Sequence, residues 1–341
     1  MLQMLDVMLT MSFQTRNYPS LTFCPANTPR NKYKSRSYQV QALPPSSVIF
    51  NADESGKFSD DKKVYGSNLT SRKGESVTPL ISEASSVGII GGASVDATLK
   101  FLRKLVELSS SEDEDGINSL PFVLCSDPLL NKELMTYEKS YFFSGRSKSE
   151  SLNMDTSPIV HNIRNKRNFL EKSGACCIVM PCHISHSWYD EASQECSVPY
   201  IHMAECVASE LKEAKLKPIE AGSPLRIGLL ATNATLAAGF YQEKLQNQGF
   251  EVVLPDKATM EHTVIPAIEA LNRKDMEGAC NLLRITLQVL LVRAVSSIVV
   301  ASHDMWDLLP QDDPLLKKCI DPLDALARTT VKWVKSSAQK T

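Results

Sequence analysis

Short apolar runs alternate with helical patterns from Val87 to the end of the chain, and each run stops abruptly at small or polar residues. Val87-Gly88-Ile89-Ile90-Gly91-Gly92 predicts a strand ending in two glycines. A helix pattern follows from Val95 to about Leu108, with apolar positions at Leu99, Leu102 and Val106. Phe122-Val123-Leu124-Cys125 predicts a second strand, and a polar, Ser-rich excursion from Leu129 to Asp155 predicts a surface loop or lid with partial helix. A helix over Ile159–Lys172, a strand over Cys176–Met180, a helix starting near Ser185, a strand over Val198–Ile201 and a helix over Met203–Ala214 complete the first half. Strands that read as near-continuous apolar runs are buried on both faces, as in parallel sheets covered by helices.

The grammar then restarts after Ala221-Gly222-Ser223-Pro224. Arg226–Thr232 mirrors Val87–Gly92, a helix pattern runs from Thr235 to Gln246, and Phe250–Leu254 is the next strand. Helical patterns cover Val264–Arg293, and Ile298-Val299-Val300-Ala301-Ser302 mirrors Val179-Met180-Pro181-Cys182. The predicted fold is α/β: two pseudo-symmetric domains, each a mostly parallel four-stranded sheet with helices on both faces, and an active site at the domain interface. The expected boundaries are 86–220 for the Cys182 half, 221–317 for the Ser302 half, and 318–341 for a C-terminal strand and helix that pack back on the first domain. Duplication brings the strand ends carrying Cys182 and Ser302 face to face across a cleft, at the carboxyl edge where open α/β sheets bind ligands.

The first 85 residues differ. No acidic residue occurs between Asp6 and Asp53, while Arg16, Arg30, Lys32, Lys34 and Arg36 lie among many Ser and Thr. That composition predicts an organelle transit peptide over 1–45, plastid in preference to mitochondrial, followed by a disordered linker over 46–85. In the chain as a whole, 43% hydrophobic residues and 22% charged ones are ordinary for a globular protein. A net charge of −2 gives no electrostatic case for nucleic acid or an anionic membrane, and no apolar run approaches the ~20 residues of a spanning helix. Nine cysteines without a Cys-x-x-Cys pair argue against a disulfide framework or a zinc ribbon.

The candidate chemistry centres on Pro181-Cys182-His183-Ile184-Ser185-His186. A thiol at a strand end just before a helix is either a core filler or a reactive group. A helix N-terminus or a nearby cation lowers a thiol pKa from about 8.5 to roughly 3.5–7.5. Cys182, His183 and His186 also suggest metal ligands, but no fourth ligand spacing appears. Gly91-Gly92 lacks the G-x-G-x-x-G spacing of a dinucleotide loop. No metal and no cofactor are expected. Cys125, Cys176, Cys177, Cys206, Cys280 and Cys319 fall inside predicted strands or helices and read as core.

Several ordered pieces resemble the aspartate/glutamate (amino-acid) racemase family of cofactor-independent enzymes. They are Gly91-Gly92 with Ala97-Thr98; Met180-Pro181-Cys182-x-x-x-His186 with Tyr189-Asp190; and His202-Met203-x-Glu205. In the second half they are Gly228-Leu229-Leu230-Ala231-Thr232 with Gly239-x-Tyr241-Gln242, Leu254-Pro255-Asp256, and Asp321-Pro322 with Leu326-Ala327. The resemblance covers 87 to about 335 and implies a homodimer acting on an amino acid or another small carboxylate. Racemisation removes a Cα proton on one face and returns one on the other, so two acid/base groups are needed on opposite sides. The resemblance places Cys182 and Ser302 in those positions. The substrate carboxylate is expected against Gly91, Gly92 and Ala93, the Ser185 helix start, and Thr232, Asn233 or Thr235, with His183, His186 and His303 nearby.

The departures are as informative. Where the family has Gly-Cys-Thr-Glu, this chain has Ala301-Ser302-His303-Asp304, so the second thiol is a hydroxyl. The family's Asn-Thr after the first cysteine is His183-Ile184, and its arginine for a distal carboxylate is replaced at best by Lys132. His303 reads as a base for Ser302 or as a plain loop residue. Two other readings stay open: a one-cysteine decarboxylase or cis-trans isomerase of small dicarboxylic acids, and a degenerate protein that binds a carboxylate without turnover.

Overall fold

The computed structural model describes residues 86–110, 120–143, 154–216 and 224–338. The transit peptide and linker expected over 1–85 lie outside them, as does the stretch 144–153 of the polar excursion.

Two parallel sheets carry the fold. In the first, β1 (Val87–Ile90) is central between β2 (Phe122–Cys125) and β3 (Cys177–Val179). In the second, β4 (Arg226–Ala231) is central between β5 (Glu251–Val253) and β6 (Ser297–Ala301), and β7 (Cys319–Ile320) continues beyond β6. The first sheet therefore has three strands, where four were expected. Val198–Ile201 contributes a single parallel bridge, Tyr200 opposite Ile178, because only Pro199 and Ile201 bond to the Ile178 peptide. Pro199 itself has no N–H to extend a ladder. That bridge stands beside β3 as β7 stands beside β6, so the pseudo-symmetry extends to the fourth position of each sheet.

Successive strand residues feed different cores, as a period of two requires. Ile89, Leu229 and Val299 enter one cluster shared by both sheets, together with residues of the helices α1 (Val95–Ser110), α4 (Met203–Glu213) and α9 (Pro322–Ala338). Ile90 enters a second cluster with α2 (Pro128–Phe143) and α3 (Ser157–Lys172), while Leu230 and Val300 enter a third. The shared cluster makes the two sheets one packed body. Arg328–Glu210 and Lys104–Asp324 ion pairs tie α9 to α4 and α1 at its rim.

Two helices differ from expectation. The single helix expected over Thr235–Gln246 is split into α5 (Asn233–Ala238) and α6 (Phe240–Gln246) at Gly239, whose φ of 80° ends the first segment in the left-handed region. The polar excursion, expected as a surface loop or lid with partial helix, opens with the 16-residue helix α2. α2 buries Leu130, Leu134 and Tyr141 with Tyr137 beside them, a stripe at helical spacing that packs against Trp188 and α3.

Candidate active site

The site is a cavity of about 280 Å³ at the carboxyl ends of β1, β3, β4 and β6. Small-molecule sites run from roughly 300 to 1,000 Å³, so this volume suits a compact ligand. Its walls come from both halves. Ala93, Cys182 and His183 line it from the first, and Thr232, Asn233, Ser302 and His303 from the second.

The β3 end is dry. Cys177–Val179 is buried throughout, and Met180-Pro181 carries the chain to Cys182, which is 6% exposed. The Ala93 N–H points at Sγ from 3.3 Å, and the Ser185 hydroxyl donates to the Cys182 carbonyl at 2.7 Å. Gly92 lies so close that a Cβ there would stand 2.5 Å from Sγ and nearer still to the cysteine Cβ. Only glycine allows this approach. The expected helix near Ser185 is a 3-10 turn, Ile184–Trp188, followed by one short turn of α-helix, Tyr189–Ser193.

The electrostatics at this end reverse the sequence expectation. Burial pushes the Cys182 thiol up, and the Glu138 carboxyl adds to the rise; the Ala93 and Ser185 hydrogen bonds oppose it without prevailing. Burial depresses His183 to about 3, with His186 and His303 adding repulsion, and His186 lies well below the ordinary imidazole value. Both rings are neutral at physiological pH, so Cys182 rests as a thiol.

His186 belongs to the scaffold. Its Nε2 is 3.1 Å from the Met180 carbonyl, and its ring packs on His202 at 4.7 Å. His183 does face the cavity, and its Nδ1 is 2.9 Å from the hydroxyl of Tyr241, a fully buried α6 residue.

The β6 end is the wetter one through its neighbours, since Asp304 and Asp307 are exposed although Ser302 is as buried as Cys182. Ser302, 7% exposed, caps the short helix His303–Trp306 through its backbone, and its hydroxyl makes no capping bond. The His303 side chain is 9% exposed, and its Nε2 is 3.0 Å from Oδ2 of Asp96, on α1 of the first half. Lys100 pairs with Asp96 at 3.0 Å and also with Asp307. Lys100 is the main reason that the Asp96 carboxyl is held below its ordinary value. Asp96, His303 and Asp307 bring ligand atoms within 4.8 Å of one another, but the Lys100 ammonium already supplies the positive charge among them.

α2 supplies a wall that the sequence reading missed. With Leu130, Leu134 and Tyr141 turned into the core, Met135, Glu138 and Lys139 line the cavity. Glu138 Oε1 accepts from the Thr232 hydroxyl at 2.8 Å. Burial raises its carboxyl, the Thr232 bond opposes this, and Asp304 adds to the rise. The apolar spacing 130, 134, 137, 141 was the available signal for this helix, hidden by the Lys, Glu and Ser between.

The remaining expected contacts fall behind the first layer. Ala93 lines the cavity, but its N–H is committed to Cys182 Sγ rather than free for a substrate carboxylate. Gly91 packs on the Cys125 carbonyl, and Gly92, Ser185, His186 and Thr235 support lining residues without being part of the wall. Lys132 sits on the exposed face of α2, and Lys139 takes its place at the cavity. Ile268 and Asn272 of α7 (Ile265–Asn272) close the second half's side. No arginine is among the described lining residues.

Comparison with known proteins agrees with this architecture. The sequence profile of the Asp/Glu/hydantoin racemase family matches residues 90–330. The broad specificity amino-acid racemase RacX of Bacillus subtilis (strain 168) is 27% identical over 165 residues, 48% of this chain and 66% of that protein. The solved structure of Picrophilus torridus aspartate racemase superposes with a TM-score of 0.54 at 25% identity, over 74% of this chain and 94% of that one. An aspartate racemase homologue from Pyrococcus horikoshii OT3 superposes with a TM-score of 0.57 at 20% identity, over 74% and 99%.

Proposed function

The chain belongs to the Asp/Glu/hydantoin racemase family, and on that footing we propose that it is a PLP-independent amino-acid racemase or epimerase with Cys182 as one acid/base. The observation that carries the reading is the buried Cys182 thiol on one cavity wall with Ser302, at the pseudo-equivalent strand end, on the same cavity. A Cα proton is removed on one face and returned on the other, while surrounding dipoles stabilise the carbanion in a site that excludes water. Asn233 at the β4 end and Ser302 at the β6 end supply donors for the α-carboxylate, and Glu138, held by the Thr232 hydroxyl, gives the α-ammonium a counter-charge. Ser302 holds the second position, but a hydroxyl is too weak an acid to rest as an anion without a base.

The lining acids, Glu138 and Asp304, with Lys139 as the one lysine among the described lining residues, favour substrates with neutral or cationic side chains over dicarboxylates. The same charges weigh against a one-cysteine decarboxylase or isomerase of dicarboxylic acids, a reading that the missing second thiol would otherwise support. The resemblance to racemases further suggests a homodimer, which light scattering on the purified chain tests directly, and the acid-poor N-terminus suggests plastid import, which a fluorescent fusion tests.

The deciding experiment is Cα–H exchange in deuterated water with single amino acids. Wild-type protein is expected to exchange at least one of them, and Cys182→Ala to lose about 10²–10⁴-fold of that rate for at least one enantiomer, the usual worth of a positioned acid/base. Exchange that Cys182→Ala leaves unchanged for both enantiomers overturns the catalytic reading.

A further inference from the structure

The second acid/base position poses a specific problem. Cys182 can serve one face of the substrate, but the opposing strand end presents only the Ser302 hydroxyl. The residue next to it resolves the gap. His303 lines the same cavity, its side chain is 9% exposed, and its Nε2 is 3.0 Å from Asp96 Oδ2. Asp96 comes from the first turn of α1, so the contact crosses from one half of the molecule to the other. A carboxylate on one ring nitrogen fixes the tautomer and orientation of an imidazole, leaving the other nitrogen for proton transfer. Among the described residues Nδ1 of His303 makes no hydrogen bond, whereas His186 has its Nε2 on the Met180 carbonyl and His183 its Nδ1 on Tyr241.

We infer that His303, oriented by Asp96, is the acid/base for the substrate face opposite Cys182, in place of the thiol that Ser302 lacks. The inference rests on the racemase reading above. Asp96 is a positioning residue, and Lys100 keeps it anionic through their ion pair. The other charged groups around the ring are Asp304, whose Oδ1 is 4.0 Å from Nε2, and Asp307; His183 and Glu138 line the cavity from the first half.

The proton balance closes without a co-reactant. With neutral His303 and the Cys182 thiol, Nδ1 takes the Cα proton of one enantiomer and the thiol donates its proton to the other face. The enzyme is left as imidazolium and thiolate, the form that converts the opposite enantiomer: sulfur takes the Cα proton and Nδ1 returns one. Proton exchange with water interconverts the two forms. Burial favours the thiol form of Cys182.

The test is Cα–H exchange in deuterated water, run separately on the L and D enantiomers of alanine, serine, lysine, aspartate and glutamate. The proteins compared are wild type, Cys182→Ala, His303→Gln and Asp96→Asn, each checked for an unchanged melting temperature and circular dichroism. His303→Gln is expected to lose about 100-fold or more for one enantiomer of the substrate, and Cys182→Ala the same for the other. Asp96→Asn is expected to cost about 10- to 100-fold for the His303-side enantiomer alone, a selectivity that a merely structural residue would not show. If wild type exchanges an amino acid and His303→Gln leaves both enantiomers within about twofold, the His303 assignment falls and the racemase reading stands. If wild type exchanges none of them, both fall. Should His303→Gln be misfolded, His303→Asn is run in its place under the same criteria.

Discussion

The β3 and β6 strand ends occupy pseudo-equivalent places, yet they offer opposite environments. At β3 the sulfur of Cys182 is walled in by Gly92 and Ala93, with neutral His183 and His186 beside it. At β6, Ser302 and His303 are followed by the Asp96–Lys100–Asp307 network, part of it in solvent. Backbone duplication reproduces where a side chain is delivered, and local packing decides what that side chain can do there. The dry end favours an uncharged thiol and the wet end favours a group whose charge is shared with partners.

The comparison breaks most readily at the dry end by acid. His183 and His202 are held to about 3 and His186 well below the ordinary value of 6.5, all by burial, so the folded protein refuses protons that the unfolded chain accepts. Stability is therefore full above pH 6.5 and is lost as pH falls below it, at about 1.4 kcal/mol per pH unit for each imidazole. Melting temperatures between pH 7.5 and 5 should fall steeply, and the slope should be shallower in His202→Asn. A melting temperature that stays level over that range would show that the dry end is not dry.

Gly92→Ala is the next largest perturbation. The added methyl collides with Cys182, so the sulfur must move; overpacking of this kind costs about 1–3 kcal/mol, and misplacing a reacting atom by ~1 Å costs about 100-fold in rate. Thermal melts and Cα–H exchange measure the two effects together. Glu138→Gln tests the wall between the two ends. Losing the counter-charge for an ammonium removes a charge-assisted hydrogen bond of about 1.5–3 kcal/mol, so KM should rise at least about 10-fold. The same variant should be relatively more stable than wild type above the ordinary carboxylate pKa of 4.5, because a raised carboxyl destabilises the fold once it ionises. Steady-state kinetics and melts at two pH values check both.

The smallest effect belongs to the wet end. Lys100→Met removes a partly exposed i,i+4 pair worth about 0.3–0.5 kcal/mol, so exchange of the His303-side enantiomer should slow about twofold. Wild-type exchange for that enantiomer should also be the more sensitive to added salt, since partly exposed pairs are screened and buried ones much less.

Much of this was legible in residue order. The alternation of apolar runs with helical patterns marks the seven strands of the two sheets, and the Pro181-Cys182 and Ala301-Ser302 ends mark the two deliveries into the cleft. Val198–Ile201 was overread because Val, Tyr and Ile carry strand propensity, although the backbone around Pro199 bonds only at Ile178. α2 was underread because its polar residues outnumber the stripe that buries it, and with it went Glu138 and Lys139. His183 and His186 look alike in sequence, four positions from Cys182 at most, yet one faces the cavity and the other holds the Met180 carbonyl.

The amino-acid order by itself determined the family and the duplicated α/β plan, because both are written in local pattern and spacing. Three things were decided only by the tertiary structure. They are the upward push on Cys182, the acidic α2 wall, and the Asp96–His303 contact between residues 207 positions apart. Each depends on which groups burial and packing bring within a few ångströms, and such distances between remote segments have no signature in a linear chain.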